Sequence, residues 1–448
     1  MILFLLILVG LGLRLWQLGE PSYWMDESFS IATAQTLARS PLYHALLALV
    51  GASSNWQIVA IRGLSVGFGV GMVVASYSTL KRWVNVPVAI VTASLITFST
   101  IEIAWSRQVR MYALLQLCFW LSLYCYERWR GGKMHWVFPL ITTLATVFTH
   151  ELGWFLLLGY IWYEVIRRGR HTLFSIITSL VVVFIVIHIV VPTLPLVNYW
   201  WHYLYYLTTN YYVLVPLALL GSWWLAKTHQ RLVTWLVIVW LGWLFCISFI
   251  VPLLQYRYLF MTLPILFMLA AAGLVWLWRQ HWAGKLAVGL SVGIVLWQQQ
   301  LTVLPQVFYP LESDTATAPF EYKTFTPQPN FTDAYTVIKN YQSQHDDIVI
   351  ATPYPIIHQL YMGTAPDHVI FVNLTGGTYP TIPATEYYSG LPYSAPEQLP
   401  ADKELLIILD QFAEYRLDAR WQGILGQAEV LWQDDTRPWS RLTIYRIL

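Results

Sequence analysis

Apolar runs long enough to cross a bilayer recur along this chain from its first residue to about residue 304, and then stop. About 17–25 mostly apolar residues suffice for one helical crossing. Eleven candidate spans follow, at about 1–16, 58–80, 84–102, 111–127, 136–150, 152–167, 172–192, 211–226, 232–252, 259–279 and 286–304. A chain that is 57% hydrophobic and 11% charged is no ordinary soluble protein. Charge changes sign where the spans end. Residues 1–304 hold 18 Lys and Arg against 7 Asp and Glu, a net +11, and residues 305–448 hold 8 against 17, a net −9. The expected architecture is mostly α: a polytopic membrane domain, 1–304, followed by a small soluble α/β domain, 305–448.

Lys and Arg in alternate loops set the orientation. One set of loops holds Lys81, Arg82, Arg128, Arg130, Lys133, Arg167, Arg168, Arg170, Lys227, Arg231, Arg279 and Lys285. The other holds only Arg14, Arg39, Arg62, Arg107, Arg110 and Arg257. The richer set marks the cytoplasm, so the N-terminus is expected there. Eleven spans then put residues 305–448 outside, with the plasma (inner) membrane as the expected location. The opening "MILFLLILVGLGLRLW" lacks a basic start and an A-x-A-like cleavage site, so it reads as a retained helix. Cys118, Cys125 and Cys246 lie in apolar runs and read as small core residues.

Five of the seven acids of the membrane domain, Glu20, Asp26, Glu27, Glu102 and Glu151, fall at the outer face together with the six minority arginines and His150. Ionisable groups at membrane depth are costly and mark function. The outer loop 17–57 carries "PSYWMDESFS", whose adjacent Asp26 and Glu27 have no Lys or Arg nearer than Arg14 and Arg39. Asp26 reads as the cap of a short helix, which accounts for one carboxylate but not for the gathering of acids on one face. A carboxylate among aromatics is a general-base candidate. "SPLYHALLALV" reads as a second short helix.

Further constellations share that face. In "STIEIAWSRQVRMYALLQL", Arg107 and Arg110 are three apart, as if on one helical face, with Glu102 upstream as a partner and Tyr112 downstream. Arginine suits bidentate phosphate binding, with snorkelling to headgroups as the alternative account. "FTHELGWFLLL" holds His150 and Glu151 but is not an H-E-x-x-H zinc motif, and a lone interfacial His is often structural. "LLQYRYLFMTLP" places Arg257 and Tyr258 at the entry of another span. The tail reads as a helix at "NFTDAYTVIKNYQSQ" with strands at "DIVIAT", "HVIFVNL", "ELLIILD", "AEVLWQ" and "RLTIYRIL". It has no Walker or dinucleotide fingerprint, and nucleic acid is not an expected partner.

A carboxylate base and several arginines at the outer membrane surface fit a substrate that arrives through the lipid and carries a phosphate. A polyprenyl-phosphate sugar meets both demands. The base would activate an acceptor on a protein, lipid or glycan, and the arginines would hold the departing phosphate. At "RLWQLGEPSYWMDESFS", "AWSRQVRMYALL", "FTHELGWFLLL" and "QYRYLFMTLP" the chain resembles the GT-C glycosyltransferases. More narrowly, it resembles the bacterial family 39 and 83 relatives of protein O-mannosyltransferases and the lipid A aminoarabinose transferase. The resemblance covers about residues 10–270. It implies hexosyl or pentosyl transfer, with Asp26 as base beside Glu27. Substrate contacts then fall to Glu102, Arg107, Arg110, Tyr112, His150, Arg257 and Tyr258. The family often has a glutamate where this chain has Gln108, and some relatives bind a divalent metal, which stays open here. The rival expectations are a transporter and a lipid-linked oligosaccharide polymerase or ligase. A transporter typically shows internal repeats and midplane charges, and the sequence has neither.

Overall fold

The computed structural model describes residues 1–20, 22–23, 25–34, 40–54, 57–168, 198–251, 256–297, 329–345, 347–372, 385–386, 389, 391–400, 403–410, 413–414, 417, 419–434 and 441–447. The candidate span 172–192 and the end of 286–304 lie outside these residues. The chain divides into two compact units. One comprises Met1–Trp16 and Thr36–Leu304, and the other Gln17–Gln35 and Pro305–Leu448. Residues 17–35, which carry Asp26 and Glu27, thus group with the C-terminal residues.

The first unit is helical. Its helices are α1 (Ile2–Leu15), α3 (Pro41–Ser54), α4 (Ile58–Trp83), α5 (Val86–Phe98), α6 (Thr100–Ser106), α7 (Tyr112–Arg130), α8 (Val137–Thr149), α9 (Trp154–Arg168), α10 (Trp200–Asn210), α11 (Leu214–Thr228), α12 (Gln230–Phe249), α13 (Leu263–Trp278) and α14 (Trp282–Trp297); α2 (Met25–Ala32) belongs to the second unit. Among the described residues, Ile58–Trp83, Gln230–Phe249 and Arg257–Trp278 are long and apolar enough to cross a membrane. The last of these is almost wholly buried and forms the centre of the bundle.

The span expected at 84–102 is not one straight helix. It breaks at Ser99, and α5 and α6 meet at 61°. The break exposes carbonyls at the end of α5 that an unbroken helix would have satisfied. Arg14, 0% exposed on α1, answers them: its Nη2 donates to Ile96 O at 3.2 Å and its Nη1 to Thr97 O at 3.4 Å. Its Nε donates to Ser106 Oγ at 2.8 Å, at the far end of α6. Arg107 returns the favour to α1: its Nη1 donates to Arg14 O at 2.9 Å and Leu13 O at 3.2 Å. A cation there also suits the helix dipole. Each arginine therefore caps the C-terminal end of the helix on which, or beside which, the other is anchored. Helix α10 was not expected; its aromatic-rich stretch lies between two apolar runs and reads as a connection.

The second unit is built on a five-stranded sheet of β1 (Ile348–Thr352), β2 (His368–Val369), β3 (Glu404–Asp410), β4 (Glu429–Asp434) and β5 (Leu442–Ile447), in the order β2-β1-β3-β5-β4. β1 runs parallel to β2 and β3, whereas β5 is antiparallel to β3 and β4. β3, "ELLIILD", is buried residue after residue, as a central strand covered on both faces must be. Helices α15 (Phe331–Gln342), α16 (Pro355–Met362) and α17 (Ala419–Leu425) accompany the sheet. Phe331, Ala334, Tyr335 and Ile338 form the apolar stripe of α15 and pack into the core with Ile350, Ile357, Ile407 and Trp421. The chain is thus mostly helical with a small C-terminal sheet, as the sequence pattern indicated.

Candidate active site

In the helical unit, Tyr112 is the hub. It opens α7, directly after a tight turn of residues 107–111. Arg107 and Arg110 therefore do not share a helical face. The turn directs them differently, Arg107 to the end of α1 and Arg110 to Tyr112, whose ring centroid is 5.7 Å from the Arg110 guanidinium carbon. The Arg257 guanidinium carbon lies 5.6 Å from the same centroid. His150 lies beside it at 5.9 Å between ring centroids, and Trp105 packs edge-on at 5.0 Å. Tyr258 is 6.5 Å from His150. Five of the expected residues, Arg110, Tyr112, His150, Arg257 and Tyr258, thus converge from three separate sequence stretches. Two cations held about one ring favour an anion beside them.

The surroundings fix this group. Tyr256–Thr262 is a 3-10 turn leading into α13. Trp243 Nε1 donates to Tyr258 O at 2.9 Å. Gln116 Nε2 donates both to Phe260 O at 2.7 Å and to Glu102 Oε1 at 2.8 Å. Glu102 is buried; Gln116 is its hydrogen-bond partner and Arg14 an attracting cation, in place of the neighbouring arginine expected from the sequence. His150 Nδ1 accepts the backbone N–H of Leu152 at 3.1 Å and so caps the 3-10 turn Glu151–Gly153. The proton of the neutral ring therefore sits on Nε2. His150 has a structural job as well as a place beside Tyr112.

In the second unit, α2 begins at Met25, so Asp26 and Glu27 occupy its first turn, and Asp26 is not its cap. Acids there suit the helix dipole. Asp26 is 7% exposed and Glu27 0%. Ser30 Oγ donates to Asp26 O at 3.0 Å, tightening that turn. Among the described residues no three His, Cys, Asp or Glu side chains gather as a metal site.

Sequence reasoning missed Gln116, although it left a trace: a polar amide inside "YALLQLCFW". Trp105 left none, since one more aromatic in a chain with 24 Trp stands out from nothing.

No family model matches the chain, and no curated protein matches it. Its fold is similar to solved structures. ArnT from Cupriavidus metallidurans in the apo state shares 12% identity at TM-score 0.57, with 99% of this chain and 97% of that chain covered. The same protein bound to undecaprenyl phosphate gives 10% identity and TM-score 0.57 over the same shares. Archaeal oligosaccharyltransferase AglB from Archaeoglobus fulgidus, in complex with an inhibitory peptide and a dolichol-phosphate, gives 9% identity and TM-score 0.52, covering 80% of this chain and 62% of that one. At such identities the likeness is one of fold, and the fold is of the GT-C type.

Proposed function

We propose that this chain is an integral-membrane glycosyltransferase that moves a sugar from a polyprenyl-phosphate donor to an acceptor hydroxyl or amine at the outer face of the membrane. The observation that carries the reading is the pairing of Arg110 and Arg257 about Tyr112 in a GT-C fold. The fold likeness to a protein crystallised with undecaprenyl phosphate supports it.

In this reading Asp26 takes the proton of the acceptor as the acceptor attacks the anomeric carbon. The new glycosidic bond forms as the bond to the phosphate oxygen breaks, with inversion. The phosphate gains a charge, which the Arg110 and Arg257 guanidiniums stabilise. Tyr112 and Tyr258 wall the phosphate site, and His150 Nε2–H offers it a further donor. Arg107 and Glu102 act by holding the turn at 107–111. Asp26 and Glu27 are adjacent on a helix, so their side chains point about 100° apart. Only one can face the reacting atoms, and Glu27 orients the acceptor.

The test is transfer in proteoliposomes from a panel of undecaprenyl-phosphate sugars. Asp26→Asn should still bind undecaprenyl phosphate and should lose at least about 100-fold in turnover, the lower end for a general base. Full turnover by Asp26→Asn and Glu27→Gln alike would remove the acid pair from the base role, and no transfer from any donor of the panel by the wild-type protein would overturn the enzyme reading. Passage of the lipid-linked sugar across the bilayer without bond cleavage would favour the transporter instead. A reporter active only in the cytoplasm, fused after Leu448, should be silent; a bright signal reverses the orientation.

A further inference from the structure

Residues 17–35 lie in one compact unit with the C-terminal domain, although 269 residues of chain, 36–304, separate the two. The join between them is polar and specific. Ser22 Oγ is 2.9 Å from Thr332 Oγ1 and accepts the Thr332 backbone N–H at 3.0 Å. Thr332 is the second residue of α15, where a backbone N–H has no partner within its own helix. Ser22 thus serves as a cap supplied from the far end of the sequence. Next to it, the Tyr23 backbone N–H donates to the Tyr361 hydroxyl at 3.3 Å, and that hydroxyl lies 3.3 Å from Thr332 Oγ1. The Tyr361 ring is fixed in turn by stacking on the core residue Tyr335 at 5.1 Å and 7°. α2 packs against α16, the helix that carries Tyr361.

Asp26 is three residues beyond Tyr23. Three residues of extended chain span at most about 10 Å. Whatever fixes Ser22 and Tyr23 therefore fixes the carboxylates. We propose that the C-terminal domain is the holder of the first-loop carboxylates. Ser22, Tyr23, Thr332 and Tyr361 are positioning residues that seat α2, so that Asp26 and Glu27 travel with this domain. The proposal rests on the reading of Asp26 as the base, and it gives the C-terminal domain a direct part in turnover.

The test uses the full chain in lipid nanodiscs, with Ser22→Ala, Tyr361→Phe and the conservative Ser22→Thr. Losing one such hydrogen bond should speed amide exchange of residues 22–32 and of Thr332 about fivefold. Exchange in β3 should not change, which shows that the domain is folded. Undecaprenyl phosphate binding should be unaffected while kcat falls, and Ser22→Thr should restore both exchange and kcat. Unchanged exchange at residues 22–32 in both loss variants overturns the seating. Faster exchange with wild-type kcat, in a protein whose Asp26→Asn variant is inactive, overturns the positioning role. Wild-type turnover of Asp26→Asn overturns the reading of Asp26 as the base instead, and the exchange measurement then decides the seating by itself.

Discussion

Arg14→Met is the substitution that most directly tests how the candidate site is held. The methionine keeps most of the aliphatic stem and removes the guanidinium. Three contacts that bind separate elements are lost: Ser106 Oγ at 2.8 Å, Ile96 O at 3.2 Å and Thr97 O at 3.4 Å. The fourth, to Gly10 O, lies within α1 itself and costs little. Hydrogen bonds from a charged donor contribute about 1.5–3 kcal/mol each, and the two long ones belong at the low end. Glu102 also loses its attracting cation. The three bonds together are worth about 4.5–6 kcal/mol, and relief of the guanidinium's own desolvation brings the net cost to about 3–5 kcal/mol. The assay is thermal unfolding in nanodiscs, where a loss of that size should lower Tm by about 5–8 °C. A Tm for Arg14→Met within about 1 °C of wild type would refute the network.

Other outcomes follow from the same geometry. A Cβ on Gly69 would lie 2.4 Å from Ser106 Cβ and 3.1 Å from Arg14 Nε, so Gly69→Ala should cost about 1–3 kcal/mol by overpacking, read as a lower Tm. Arg257→Lys supplies charge without a fork and should lower kcat/KM at least about tenfold, with folding unchanged; equal kinetics would leave Arg257 a headgroup anchor. Burial lowers the His358 pKa to about 4, only partly offset by Asp367, so the folded domain holds His358 neutral. The unfolded chain takes up the proton first as pH falls. Stability is thus fully present above about pH 6.5 and lost toward pH 4, and His358→Leu should flatten that part of the pH–stability curve in hydrogen exchange of the C-terminal strands.

The sequence made the helices legible, because bilayer-length apolar runs allow little else, and it made the strands of the tail legible from their β-branched runs. Most members of the Tyr112 cluster were legible too, since a charged or polar side chain in an apolar chain stands out. What stayed hidden depends on contacts distant in sequence. No Pro or Gly marks the break at Ser99; it is sustained by a guanidinium 82 residues away from Ile96. The grouping of residues 17–35 with the C-terminal domain depends on a contact across 310 residues. Asp26 fits a cap by pattern, yet the helix starts at Met25, two residues before the start that a cap at Asp26 implies, a shift no propensity argument resolves.

Arg14, Arg107, Arg110 and Arg257 show why charge type alone does not assign a role. A guanidinium has five N–H donors, and what they are spent on decides what remains for a ligand. Arg14 spends its donors on Ser106 Oγ and on the carbonyls of Gly10, Ile96 and Thr97. Arg107 commits Nη1 to two carbonyls at the end of α1. Both mend helix ends, so their replacement should register first in stability. Arg110 and Arg257 instead lie beside the Tyr112 ring, with their guanidinium carbons 5.7 and 5.6 Å from its centroid. Their N–H groups suit a bidentate anion, and their replacement should register first in donor binding and turnover. Lysine substitution separates the two pairs. At Arg14 and Arg107 one ammonium can replace part of a set of single hydrogen bonds, whereas at Arg110 and Arg257 it cannot replace a planar fork.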